Sequence, residues 1–515
     1  MARHVLNGEL PAFFWGQAFK GVPEVYLSAG AFALWGSSVA VLKAVTLALF
    51  AAYVGMNFVL LEKMTSRWVA AAASSLLIAA PPALVFWSLD ASAEYVVIML
   101  LGTALMHCLP VRLKAETTGG ERREQTAENN GQGVESSRLF MIGLIVGVGL
   151  WVHQLFIVYL IPLTIVLAAR TERWKRREFG TLNRVALGLG AIAAIYLVLG
   201  IVAFVSGGFA VPIGSITISA TAPQKMARIA VGILALAALV QLATTSSGSL
   251  VRGTLRRYWI AAAGFLVGYS PVVIYSVLVE PARSPARVAT LKQLLAGAPD
   301  ILGNIVPILA GFKIATTERL PLPLVAIIPG AAALAAYLWV SRRTLAINFF
   351  ALFVVFFPLL FLASGAYLDT QSYRYFIPWY AGLSVAWAAG SYALASMVRL
   401  KPGTAHYRPA IASAIVAAIV GVHVWQQVIW YRKLQPDTQS LATIDCLTRN
   451  GIRGGYAEYW TAYKLTFLAE ERIIIAPTDG IDRYPRYTDF VRSLPGHQQV
   501  RLKADTTNCM DASPP

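Results

Sequence analysis

Apolar runs of about twenty residues, the length a bilayer core requires, recur along most of the chain. They cover 38–61, 68–86, 93–109, 139–169, 182–205, 226–243, 258–279, 320–340, 344–364, 375–398 and 409–430. The run 139–169 is long enough for two short spans joined near Trp151–Gln154, so the pattern predicts about twelve transmembrane helices. Residues 1–37 are different. They mix aromatics, glycines and prolines with Glu9, Lys20 and Glu24, and predict a loop with short amphipathic helices. After Trp430 the chain turns polar. Segment 437–450 reads as a helix, 455–459 as a strand and 461–470 as a helix. RIIIA at 472–476 reads as a buried strand before a Pro/Asp/Gly turn. The predicted organisation is an extracytoplasmic loop over 1–37, a transmembrane domain over 38–431 and a small extracytoplasmic α/β domain over 432–515.

Composition agrees with this class. The chain is 57% hydrophobic and 13% charged, too apolar for a soluble surface of this size. A formal charge of +17 would suggest nucleic acid in a soluble protein. Here the bases gather in short loops, as positive-inside topology requires, and no nucleic-acid partner is expected. With the 62–67 turn inside, alternation puts the basic loops 112–138, 170–177, 252–257, 342–343 and 399–408 on the same side. This holds only if 139–169 crosses twice, with Trp151, His153 and Gln154 at the outer tip. Both termini then lie outside. Segment 115–137 reads as a disordered inner loop, and 206–225 and 280–319 as long outer loops.

Residues 1–24 lack the apolar stretch of a cleavable signal. An outer N-terminal loop therefore implies a further span upstream of Met1, bringing the total to about thirteen. Of Cys108, Cys446 and Cys509, the last two fall in the polar tail and could be bridged outside the cell membrane. No CxxC pair is present, which argues against thiol-bound zinc.

Candidate chemistry concentrates at the outer surface. Asp90 and Glu94 stand four residues apart, which places them on one helical face. Either could act as a general base or bind a divalent ion, or favour a helix N-terminus electrostatically. His153 could ligate a metal or contact a phosphate, or belong to an interfacial aromatic belt. Lys20, between Phe19 and Gly21, could hold a phosphate as a point charge, or be a solvated or headgroup-binding lysine. Arg374, flanked by Tyr373 and Tyr375, suits a lipid phosphate, or an interface anchor. Lys43 is a snorkelling lysine, and His107 and His423 have packing roles within spans. Arg283, Arg287, Lys292, Lys313 and Arg319 make one outer loop basic against the general trend. No P-loop, GxSxG, HExxH or Rossmann fingerprint occurs in a suitable context. An enzyme working outside has no nucleotide pool, so its activated donor would sit in the membrane.

Residues 2–38, ARHVLNGELPAFFWGQAFKGVPEVYLSAGAFALWGSS, resemble the first outer loop of GT-C fold glycosyltransferases. The resemblance is to bacterial relatives of protein O-mannosyltransferases and of the lipid A aminoarabinose transferase. Gly16 and Gln17, Gly21, Glu24 and 34–36 fill the family-like places. GLWVHQLFIVYLIP at 149–162 and YRYFIPWYAGL at 373–383 are also similar to the family. The resemblance implies sugar transfer from a polyprenyl-phosphate donor to a lipid, glycan or protein acceptor. The reaction would take place at the outer face of a bacterial inner membrane. It implies catalytic roles for Asp90 or Glu94 and a donor-phosphate contact at Arg374 with Tyr373. It also implies a Glu24–His153 pair for a divalent metal. The lysine at position 20 is not part of the family pattern. The family's catalytic carboxylate lies upstream of the segment matched by residues 2–8, so the resemblance implies that the reading frame starts late or that the chain is inactive. A transporter or flippase of lipid-linked envelope intermediates, and a non-catalytic homologue, are the competing readings.

Overall fold

The computed structural model describes residues 1–90, 94–109, 128–170, 209–213, 216–220, 248–279, 301–309, 327–345, 348–363, 372–398, 405–480 and 482–502, with isolated positions between them. The N-terminal segment folds as helix α1 (Ala2–Leu6), a two-stranded hairpin of β1 (Phe13–Phe14) and β2 (Gln17–Gly21), and helix α2 (Pro23–Trp35). The hairpin adds strands to the loop with short helices expected for this stretch. Its register pairs Phe13 with Gly21 and Phe14 with Gln17. Pro23 starts α2, where a missing N–H costs nothing. One face of α2 buries Val25, Ala29 and Phe32, while Leu27, Leu34 and Trp35 are exposed, so the helix is apolar on both faces rather than amphipathic.

Helix α3 (Val39–Met64) is capped by Ser38, whose hydroxyl accepts the Val41 N–H at 3.2 Å. The next apolar run is not one straight helix. It breaks into α4 (Arg67–Ile78) and α5 (Pro82–Ser88), bent by 82°. Pro81 and Pro82 remove successive donors, so the helix ends there. The freed carbonyls find side chains on other helices: the Tyr380 hydroxyl donates to Leu76 O at 3.1 Å, and the Gln427 amide donates to Ala80 O. Helix α6 (Glu94–Cys108) follows.

The run at 139–169 divides at His153 into α7 (Glu128–Val152), a 3-10 turn Gln154–Phe156 and α8 (Ile157–Arg170). Residues 128–137 extend α7 rather than joining a disordered loop, because once a helix is nucleated each added residue gains a backbone bond cheaply. Helix α7 crosses the helix Gly248–Leu278 at close range. Gly143 and Gly147 on one side meet Gly264 and Gly268 on the other, with Ala261 O, Phe265 O, Phe140 O and Leu144 O where Cβ atoms would stand. Facing small-xxx-small pairs are the usual means for helices to touch where no hydrophobic force drives them together.

Three described helices are long and apolar enough to cross a membrane, and the broken pair raises the total to four. The helices Glu94–Cys108, Ser136–Val152, Gln154–Leu167, Ile328–Ser341 and Phe349–Leu359 are shorter and apolar. The count of about twelve spans is therefore not reached among the described residues, and the runs 182–205 and 226–243 lie largely outside them. Arg283, Arg287, Lys292, Lys313, Arg319 and Cys509 also lie outside. Within the expected outer loop 206–225, β3 (Phe209–Ile213) and β4 (Ile216–Ala220) pair as an antiparallel hairpin.

The polar tail forms a parallel three-stranded sheet of order β6-β5-β7, from β5 (Gly454–Ala457), β6 (Ile474–Pro477) and β7 (Gln499–Arg501). Helices Thr438–Arg449, Tyr459–Leu468 and Pro485–Ser493 flank it. Leu447, Ala462, Leu465, Ile475 and Val500 make its core. Cys446 is disulfide-bonded. A separate cluster of Ala2, Val22, Val25, Ala29 and Phe32 includes Phe467 of this C-terminal unit, joining it to the N-terminal segment.

Candidate functional site

Strand β2 is set by what it touches. A Cβ on Gly21 would stand 2.6 Å from Trp151 O, so only glycine allows β2 to lie against the end of α7. That contact lets Lys20 form an antiparallel bridge with His153. The loop lysine and the hairpin-tip histidine, 133 residues apart by subtraction of their numbers, become backbone neighbours. The Lys20 side chain is buried, with Nζ 2.8 Å from Glu94 Oε2 at the start of α6 and 4.7 Å from the Phe14 ring centroid. The pair meets by distance, while the orientation at Glu94 Oε2 falls short of hydrogen-bond geometry. Lys20 and Glu94 thus neutralise each other, and neither charge is solvated.

His153 packs between Phe19 and Tyr375, with ring centroids 6.3 and 6.0 Å away. Its Nδ1 accepts the Leu155 N–H at 3.0 Å, which leaves the neutral ring's proton on Nε2. Burial, then the charges of Lys20 and Arg374, push this imidazole down to about 3. It is a neutral donor at ordinary pH. Glu24, in the first turn of α2, is buried and accepts from Thr46 Oγ1 of α3 at 3.1 Å. Arg374 sits in the 3-10 turn Ser372–Phe376, its guanidinium 5.8 Å from the Trp87 ring and 5.2 Å from the Tyr375 ring. Asp90 follows α5 directly.

These groups surround one cavity of about 500 Å³. Lys20, Glu24, Asp90, Glu94, His153 and Arg374 all line it. Tyr373 does not: it packs against Trp87, with ring centroids 6.3 Å apart, and Tyr375 takes the place at the wall. Thus six side chains singled out from the sequence share a cavity, and one stands behind it.

The opposite wall comes from the C-terminal unit, which sequence reasoning left without a site role. Tyr459, Trp460 and Tyr463 of the helix Tyr459–Leu468 line the cavity, with Glu471 and Arg483. The aromatic density of YAEYWTAY at 456–463 was the available signal. This wall is joined to the N-terminal segment by a polar and aromatic cluster. Tyr484 OH donates to Glu9 Oε1 at 2.7 Å and stacks on Trp15 at 4.0 Å, while His4 lies 3.1 Å from Glu9 and 3.0 Å from Tyr487 OH. Burial alone would raise the Glu9 carboxyl. The hydrogen bonds from Tyr484 and His4, with the charges of His4 and Arg486, overcome this and hold it below its usual range.

A divalent ion needs several convergent oxygen or nitrogen ligands. Among the described residues no group of three or more His, Cys, Asp or Glu side chains is set to hold one, and Glu94 is engaged by Lys20. Glu24 and His153 border the same cavity without forming such a group.

No family model matches the chain, and no curated protein matches it. Among solved structures, archaeal oligosaccharyltransferase AglB from Archaeoglobus fulgidus, in complex with an inhibitory peptide and a dolichol-phosphate, aligns at 13% identity and TM-score 0.46. That alignment covers 90% of this chain and 57% of that one. The Archaeoglobus fulgidus oligosaccharyltransferase in complex with Zn and sulfate aligns at 13% identity and TM-score 0.47, over 92% of this chain and 57% of that chain. Its apo form aligns at 13% identity and TM-score 0.39, over 90% and 57%. The chain spans 57% of the length of these proteins.

Proposed function

We propose that the chain is an integral-membrane glycosyltransferase that moves a sugar from a polyprenyl-phosphate donor to a lipid, glycan or protein hydroxyl at the extracytoplasmic face. The observation that carries this is the shared cavity that Arg374 and neutral His153 line together with Asp90. A cation and a neutral N–H donor beside a carboxylate suit a phosphate leaving group next to a hydroxyl nucleophile. The acceptor oxygen bonds to the anomeric carbon, and the bond from that carbon to the donor phosphate oxygen breaks. The electron pair leaves with polyprenyl phosphate, held by Arg374. The hydroxyl proton goes to Asp90. Lys20 and Glu94 act as a buried pair that fixes the hairpin against α6, and Glu24 supports the wall through Thr46.

Sidedness supports the reading. Leu42 near the start of α3 lines the cavity. The helix Val39–Met64 has 26 residues, about 39 Å at 1.5 Å each, with Lys63 in its last turn and Arg67 at the start of the next helix. The cavity therefore lies at the opposite end from this basic turn, which the positive-inside rule assigns to the cytoplasm. A transporter would place its charged groups near the bilayer midplane. The buried charged side chains among the described residues, Lys20, Glu24 and Glu94, instead border the cavity.

The test is transfer from synthetic polyprenyl-phosphate sugars by the purified chain. Asp90→Asn should lower the transfer rate by about 10²–10⁴, the usual contribution of a general base, with polyprenyl-phosphate binding retained. Arg374→Ala should weaken that binding. An Asp90→Asn protein as active as the parent would remove Asp90 from the mechanism.

A further inference from the structure

The C-terminal wall carries a feature that donor binding does not use. Trp460 is 70% exposed at the cavity mouth. Tyr459 meets it edge-on with ring centroids 5.0 Å apart, and Tyr463 lies 5.2 Å from Tyr459. Arg483 sits 5.4 Å over the Tyr459 ring. We propose that Tyr459, Trp460, Tyr463 and Arg483 form a subsite for a neutral pyranose ring of a glycan, placed beside the reacting cavity. The proposal rests on the glycosyl-transfer reading above and deepens it.

The chemistry is that of a sugar's two kinds of surface. Its C–H faces carry slight positive charge and stack on the negative face of an aromatic ring. Its hydroxyl rim needs fixed polar partners. Both are present here. Glu458 accepts from Trp460 N at 3.3 Å and from Thr461 Oγ1 at 3.2 Å, and Asp479 lies 3.4 Å from Tyr459 N. These carboxylates fix the first turn of the aromatic helix, and Arg483, whose Nε makes no hydrogen bond within the protein, lines the same space as a donor for sugar hydroxyls. An exposed tryptophan on a membrane protein is also the ordinary anchor at a lipid interface. Trp460 here lines the same cavity as Asp90 and Arg374, which a headgroup anchor need not do.

The rim is held in place rather than draped. Tyr463 OH accepts the backbone N–H groups of Arg483 and Tyr484, each at 3.0 Å, which fixes the loop bearing Arg483 to the aromatic helix. The subsite is continuous with the cavity, because Tyr459, Trp460, Tyr463 and Arg483 line the same space as Asp90 and Arg374.

The experiment is equilibrium binding to the detergent-solubilised full chain, read by tryptophan fluorescence and saturation-transfer NMR. The probes are neutral gluco-, galacto-, manno- and N-acetylgluco-trisaccharides. Polyprenyl phosphate is titrated in parallel, and vesicles with and without an anionic lipid form a third arm. At least one trisaccharide should bind. Trp460→Ala should weaken it at least about tenfold, as loss of a central aromatic contact does, and Trp460→Phe should recover most of the loss. Polyprenyl-phosphate binding should be unchanged in both variants and weakened only in Arg374→Ala. Failure of all the trisaccharides to bind, with polyprenyl phosphate still bound, overturns this subsite and leaves the function standing. Failure of polyprenyl phosphate to bind overturns the function itself. If Trp460→Ala instead lowers vesicle affinity and spares trisaccharide binding, Trp460 is a lipid anchor and the proposal falls.

Discussion

Lys20 and Glu94 show how one contact changes the meaning of two residues. Read separately, the lysine is a phosphate-binding candidate and the glutamate a base. At 2.8 Å and out of water, they pair by charge. Removing one partner of such a pair leaves a buried uncompensated charge and costs about 3–5 kcal/mol, whereas removing both costs far less. Lys20→Met should therefore lower the thermal midpoint in detergent more than the double change Lys20→Met/Glu94→Gln. Equal or greater loss in the double variant would rule out the pair as a unit. His153 makes a second prediction at this scale. Its ordinary value of 6.5 falls to about 3, through burial first and then its cationic neighbours. Between those pH values the unfolded chain binds a proton there that the folded chain refuses. Stability at this site is thus full above about 6.5 and declines as pH falls toward about 3, by at most about 1.4 kcal/mol per unit. His153→Gln should flatten the fall of the thermal midpoint between about pH 6.5 and 4.5. Parallel curves for parent and variant would contradict the buried neutral state.

At the scale of elements, the site depends on where β2 can lie. Trp151 O stands where a Gly21 side chain would go. Gly21→Val should push β2 away from His153, separate Lys20 from Glu94 and lower both stability and transfer. Gly30, inside α2 with nothing within 4 Å of its missing Cβ, is the control. Gly30→Ala should be neutral or stabilising, by up to about 1 kcal/mol. Matching effects of the two substitutions on the thermal midpoint would show that the close approach does not matter. The element scale is also where periodicity is silent. It reads 68–86 as one run because two prolines within it leave the run apolar on average, and it does not show the break. The 82° bend at Pro81 and Pro82 follows from missing donors, which a hydropathy sum ignores. The facing glycines of α7 and Gly248–Leu278 were visible as GLIVG and GFLVG, but nothing local tells which pairs will meet.

Across the whole molecule, the cavity exists because three distant parts converge. The N-terminal segment, the ends of α5, α6 and α7 with the turn at Arg374, and the C-terminal unit each contribute residues to its lining. The link between first and last parts is compact: Arg3 donates to Phe467 O at 3.0 Å, and Trp15 stacks on Tyr484. If this end faces out, a cysteine at Trp460 should react with a membrane-impermeant maleimide on intact cells. A cysteine at Lys63, at the other end of α3, should react only after permeabilisation. Labelling of Lys63→Cys alone in intact cells would invert the proposed orientation.

The sequence by itself determined the class of the molecule and most of the polar positions of its site. Long apolar runs have no soluble packing, and ionisable groups at their ends are too costly in lipid to be casual. It also marked the helix–strand alternation of the tail at 437–476, since helix and strand periods are local properties. Only the tertiary structure decided which charges face each other, that Tyr375 rather than Tyr373 reaches the wall, and that the tail's aromatics complete the cavity. Those facts depend on contacts between residues hundreds of positions apart. A hydrophobic pattern specifies that a face is buried; which partner buries it is decided when the chain packs.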